Sequence, residues 1–112
     1  MLKVIILTIA ISSVLSTGSY EAIDVDEYFN QQKNDEIYAA ARLKLDQTIS
    51  QDFQFLKVES IERQIVAGFN YKFFISYKNE QSIHLYVIRI YQDLQNNLQI
   101  YEPELINQKE YL

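Results

Sequence analysis

Residues 69–78 read FNYKFFISYK, ten positions in which apolar and polar side chains alternate. A period of two is the signature of a strand with one face covered and one open. Phe69, Tyr71, Phe73, Ile75 and Tyr77 share one face. Asn70, Lys72, Ser76 and Lys78 point the other way, with Phe74 the exception. The fold follows from what lies on either side of this segment.

Toward the C-terminus, the polar KNEQ at 78–81 reads as a turn. SIHLYVIRIY (82–91) and LQIYEPEL (98–105) supply two more strands, separated by QDLQNN at 92–97. Pro103 marks the last strand as an edge or as its end, because proline cannot donate to a ladder. Toward the N-terminus, FQFLKVESIERQIVA (53–67) is rich in aromatic and branched residues, and its broken alternation is that of a bulged strand. Before it the grammar is helical. Ile37, Ala40, Ala41, Leu45 and Ile49 fall on one face of a helix over 35–49. Asn34 is its expected cap, and Asp35 and Glu36 suit the positive end of its dipole. Residues 17–32 are polar and acidic, with room for a short strand near AIDV (22–25).

One helix followed by strands joined through short turns leaves no crossover helices, so the sheet is expected to be an antiparallel meander. The expected fold class is α+β: one amphipathic helix packed across a four- to five-stranded antiparallel sheet. The length of 112 residues allows a single domain, placed at 17–112. Residues 1–16 (MLKVIILTIAISSVLS) differ in kind. One lysine precedes a short apolar run, and small residues follow at Ser16, Thr17 and Gly18. That is the pattern of a secretory signal ending between 16 and 18, and it places the mature chain outside the cell or in a secretory lumen.

Composition excludes several functions. Ten Lys and Arg against 15 Asp and Glu give a formal charge of −5, with no basic run to neutralise phosphates or grip an anionic membrane. The chain has no cysteine, hence no thiol nucleophile, disulfide or zinc knuckle. His84, the single histidine, sits in a strand and is expected as a surface or cross-strand residue. The acidic pairs Asp24/Asp26 and Asp35/Glu36 have no neighbours to separate their pKa values, so they are expected as a solvated edge and a helix start. No phosphate loop, nucleophile elbow or calcium loop is present. No catalytic residue, metal or cofactor is expected, and the chain is not expected to be an enzyme.

QIVAG at 64–68 lies at the joint between two long strands and holds one of only two glycines. A hairpin accounts for Gly68, which can take a positive φ or admit a second backbone. It does not account for Ile65, Val66 and Ala67, since turn tips favour Asn, Asp, Ser and Gly. A tip of small apolar residues is a surface made to enter an apolar cleft.

Here the chain resembles the cystatin superfamily, inhibitors of papain-like cysteine proteases. Gln64-Ile65-Val66-Ala67-Gly68 matches the family's Gln-x-Val-x-Gly loop at its three fixed positions. The order of helix, strand, loop and strands resembles the family's fold over the mature chain. The lack of cysteine is like its disulfide-free, stefin-like members, and the signal is like its secreted ones. The resemblance implies a wedge of three elements: a trunk glycine, for which Gly18 is the candidate, the 64–68 loop, and the next hairpin loop, where Leu94 and Gln95 fall nearest the contact positions. The tryptophan common in that last loop is absent, since the chain has none. The implied partner is a cathepsin-type protease, bound reversibly and competitively by a monomer. A dimer that exchanges helix and first strand is a further expectation of the resemblance. The competing expectation is a non-inhibitory secreted binding module, because fold does not determine function.

Overall fold

A computed structural model describes residues 19–31 and 35–111. The expected signal at 1–16, Gly18 and the Asn34 cap lie outside the described residues. In chain order the elements are β1 (Glu21–Ile23), α1 (Val25–Phe29), α2 (Asp35–Thr48), β2 (Gln54–Val66), β3 (Gly68–Lys78), β4 (Ser82–Gln92), β5 (Leu98–Ile100) and β6 (Glu104–Glu110).

The expected fold class is corrected by this arrangement. Among the described residues the fold is dominated by a sheet of six strands, with 52% strand against 20% helix, rather than by a helix set across four or five strands. Three physical reasons account for the difference. Glu21–Ile23 pairs with Ile61–Arg63 of β2 and adds an edge. The expected strand at 98–105 is interrupted around Pro103, and pairing resumes in the polar ELINQKE segment as β6. A second helix, the five-residue α1, forms where Asp24 caps the chain: its carboxylate accepts from the Glu27 N–H at 3.0 Å.

All strand pairs are antiparallel, in the order β1-β2-β3-β4-β5, with β6 also on β4. The β3–β4 ladder runs without a break from Phe69↔Gln92 to Lys78↔Ile83. The β2–β3 ladder shifts register twice, between Phe55 and Lys57 and between Val58 and Ser60. Those bulges are why alternation in β2 fails.

The face that β3 turns inward is the one its alternation marks. Tyr71, Phe73, Ile75 and Tyr77 are buried, and they join Ile61, Ile88 and Ile90 in one cluster. Ile37, Ala41 and Leu45, one helical turn apart along α2, and Ile49 just past its end belong to the same cluster. Tyr28 of α1 seals it by meeting Phe73 and Tyr71 edge-on, with centroids 5.5 and 6.0 Å away. Lys44 of α2 reaches Glu102 at 2.7 Å and ties the helix to the β5–β6 interruption.

Phe73 has no exposed surface and Leu43, on the outer side of α2, is 60% exposed. Phe73→Ala is expected to cost about 3–5 kcal/mol of stability, and Leu43→Ala to stay within about 0.5 kcal/mol. Urea unfolding of the two variants measures the contrast.

Candidate functional site

Two hairpin ends lie side by side at one end of the sheet. In the first, Val66 pairs with Gly68 and Ala67 stands alone at the tip. Gly68 has φ +107, a conformation that L side chains rarely adopt. A Cβ there would also run into the carbonyl of Gln92 and come within 3.1 Å of the Asp93 Cα. Both reasons for a glycine hold at once: the turn needs the positive φ, and the second hairpin needs the empty space.

Further bonds fasten the first tip. The Tyr91 hydroxyl donates to the Ala67 carbonyl from the neighbouring hairpin. Asn70 Nδ2 donates to Gln64 Oε1 at 2.9 Å across the β2–β3 pair. Arg89 Nη1 in turn donates to Asn70 Oδ1 at 3.1 Å. The side chains at the tip itself are open: Ile65 is 42% and Val66 37% exposed. Successive strand residues point to opposite faces, so the tip is apolar on both sides.

The second hairpin is organised by Asp93. Its Oδ1 accepts from the Gln95 and Asn97 backbone N–H groups, each at 2.9 Å, and Oδ2 accepts from the Asn97 amide at 3.3 Å. The Asn96 N–H closes the turn onto the Asp93 carbonyl at 3.0 Å, with Asn96 left-handed at φ 68. Leu94 stands at the crest, 73% exposed. The Asn97 backbone N–H foremost, with the Asn97 side chain and the Gln95 N–H, holds the Asp93 carboxyl below its ordinary range.

Of the residues expected at the site, Gln64, Ile65, Val66, Ala67 and Gly68 are brought beside the loop carrying Leu94 and Gln95, while Gly18 falls outside the described residues. Asn70, Tyr91, Gln92 and Asp93 are further members that the sequence reading did not single out. Only Asp93 had a visible signal, as the first residue of an Asp-x-x-Asn turn. His84 is at the other end of the sheet, its ring 4.4 Å from that of Phe53 and its register partner Tyr77. Among the described residues, no group of three or more His, Asp or Glu side chains is placed to hold a metal ion, and no helix is long and apolar enough to cross a membrane. Compared with known proteins, the chain matches no family model, no curated protein and no solved structure.

Gly68→Ala is expected to lower stability by about 2 kcal/mol or more, through backbone strain and the clash with Gln92, read as a lower urea midpoint at unchanged m. A carboxyl whose folded pKa lies below its unfolded value stabilises at pH above the unfolded pKa, and loses that contribution as pH falls through the folded one. Acidification below the ordinary Asp range should therefore loosen the second loop. Amide exchange at Gln95 and Asn97, corrected for intrinsic rates, should speed up there, and should be fast at every pH in Asp93→Ala.

Proposed function

We propose that the chain is a reversible, competitive protein inhibitor of papain-like cysteine proteases. Residues 64–68 and Leu94 would enter the active-site cleft together. The observation that carries this reading is an exposed apolar tip on a backbone held from behind. Ile65 and Val66 are solvent-facing, while Gly68 is locked against Gln92 and the Ala67 carbonyl is engaged by Tyr91. Turn tips are ordinarily polar, so an apolar one is best explained by an apolar surface that receives it. The Gln64-x-Val66-x-Gly68 pattern, which resembles the cystatin superfamily loop, directs that surface to the cleft of a papain-like enzyme.

The mechanism is obstruction. Val66 and Ala67 fill the cleft beside the catalytic thiol without laying a peptide bond in register for attack. Ile65 and Leu94 extend the apolar contact to either side. A loop already fixed by Tyr91, Asn70 and Asp93 loses little entropy on docking, so more of the contact energy appears as affinity. No catalytic residue or cofactor of the chain takes part. The reading places the inhibitor in a secretory lumen or outside the cell.

Val66→Asp is the variant that tests it, since Val66 is exposed and Gly68 is not free to change. The parent chain should inhibit at least one of a panel of papain-like enzymes at micromolar concentration. Val66→Asp should weaken inhibition by about 100-fold while leaving the circular dichroism and melting temperature unchanged. Leu94→Asp should weaken it less, about tenfold. No inhibition of any panel member would favour the non-inhibitory binding module instead.

A further inference from the structure

Arg89 stands on β4, on the face of the sheet turned away from α2, among groups whose charges are already matched. Glu62 lies opposite its register partner Lys72, and Glu102 and Glu104 line the same groove. Its neighbours hold it in place from both margins of the sheet. The guanidinium lies 3.6 Å from the centroid of the Tyr101 ring, and the Tyr101 N–H donates to the Arg89 carbonyl at 3.0 Å. From ahead of β1 the Tyr20 phenol faces the same guanidinium, while the Tyr20 ring takes Lys72 Nζ at 4.1 Å.

The fixed guanidinium donates to Asn70. Its Nη1 reaches Asn70 Oδ1 at 3.1 Å, diagonally from the row beside it. A guanidinium has donors and no acceptor, so the end of the Asn70 amide that it meets can only be the oxygen. The amide is planar, and Nδ2 therefore points the other way, toward β2. There it donates to Gln64 Oε1 at 2.9 Å. The same step repeats at Gln64: with its oxygen turned to Asn70, its Nε2 lies on the side away from Asn70. One donor-only group thus orders two amides in series, each of which could otherwise be reversed with little change of shape.

Gln64 opens the 64–68 stretch, and its register partner is Asn70. The other register partner of Asn70 is Tyr91, whose hydroxyl engages the Ala67 carbonyl. Asn70 therefore stands between two side chains that fasten the tip. We propose that Arg89 is a positioning residue for the tip: it fixes which way the Asn70 amide faces, and through it the orientation of Gln64 toward a bound protease. The inference rests on the reading of 64–68 as the inhibitory tip. A protease docked there meets a Gln64 whose donor and acceptor ends are already assigned, so no amide has to turn on binding.

Asn70→Asp tests this with almost no change in size. A carboxylate still accepts from Arg89, now in a charge-assisted bond. It offers Gln64 an oxygen in place of an N–H, however, so the Gln64 amide must turn over. The melting temperature should stay the same or rise, while inhibition of a papain-like enzyme by the full chain weakens about tenfold. Arg89→Met keeps the bulk against Tyr101 but donates nothing, and should also weaken inhibition about tenfold. Arg89→Lys restores a donor and should stay within about threefold of the parent. In an Asn70→Ala background, Arg89→Met should add no further loss. The side-chain amide resonances of Gln64 in a proton–nitrogen correlation spectrum should move in Asn70→Asp and Arg89→Met, and stay in place in Arg89→Lys.

A role for Arg89 in stability alone predicts a firmer fold and unchanged inhibition in Asn70→Asp, and that result overturns the proposal. Additive losses in the double variant overturn it as well, as do Gln64 resonances that do not respond to Arg89→Met. If Arg89→Met fails to fold, Asn70→Asp decides. A parent chain that inhibits no enzyme refutes the inhibitor reading alone, and the Gln64 resonances then decide whether Arg89 sets the two amides.

Discussion

The missing Cβ of Gly68 is the constraint on which the loop end of the molecule depends. Twisted sheets rotate neighbouring strands by about 20° or more, which by itself would splay the 64–68 and 93–97 turns apart. The Phe69↔Gln92 pair opens the β3–β4 ladder directly beneath them, so any side chain at 68 would be driven into the Gln92 carbonyl. Without one, the two turns close against each other and Tyr91 can reach the Ala67 carbonyl. Glycine is required for the contact between hairpins as well as for the turn.

The regular and irregular parts of the sheet are distributed in a way that protects this end. The β3–β4 ladder is uninterrupted, whereas the register shifts fall in β2 and along the partner strands of β4's outer edge. Bulges increase local twist and leave residues unpaired, so they are tolerated toward the margins and would displace side chains if set in the middle. From Ser60 to Val66 of β2, past the second shift, the pairing with β3 is regular, and the tip inherits the geometry of the central pair. At the opposite margin, the Pro103 interruption and the charged ends of β6 break up an edge that would otherwise invite another strand.

How much of this was legible in the sequence depended on whether burial had left a pattern. Residues 69–78 alternate because one face of β3 is sealed under Phe73 and Ile75, and the α2 pattern survives because Ile37, Ala41 and Leu45 meet that same core. β6 has every residue exposed, so nothing in ELINQKE had to be apolar at intervals, and the strand left no trace. α1 is too short for a helical period to show; Asp24 and Tyr28 explain it only once their partners are known. Gly68 was visible through its rarity and its apolar neighbours. Tyr91 and Asn70 were not, because their roles come from the register, and register is set by contacts far apart in the chain.

β3 shows how one strand can serve two purposes. Its inward side chains make the core, and their packing determines which residues of β2 and β4 lie opposite. Its outward side chains then find themselves in rows that the core has already chosen. Gln64, Asn70 and Tyr91 form one such row, and Arg89 reaches Asn70 diagonally from the row beside it. Lys72 and Arg89 form the next, and Phe74 and Val87 the one after. A one-residue slip would turn the inward aromatics outward and break all three rows together. The apolar face therefore supplies the stability, and the arrangement of the polar groups on the open face follows from it.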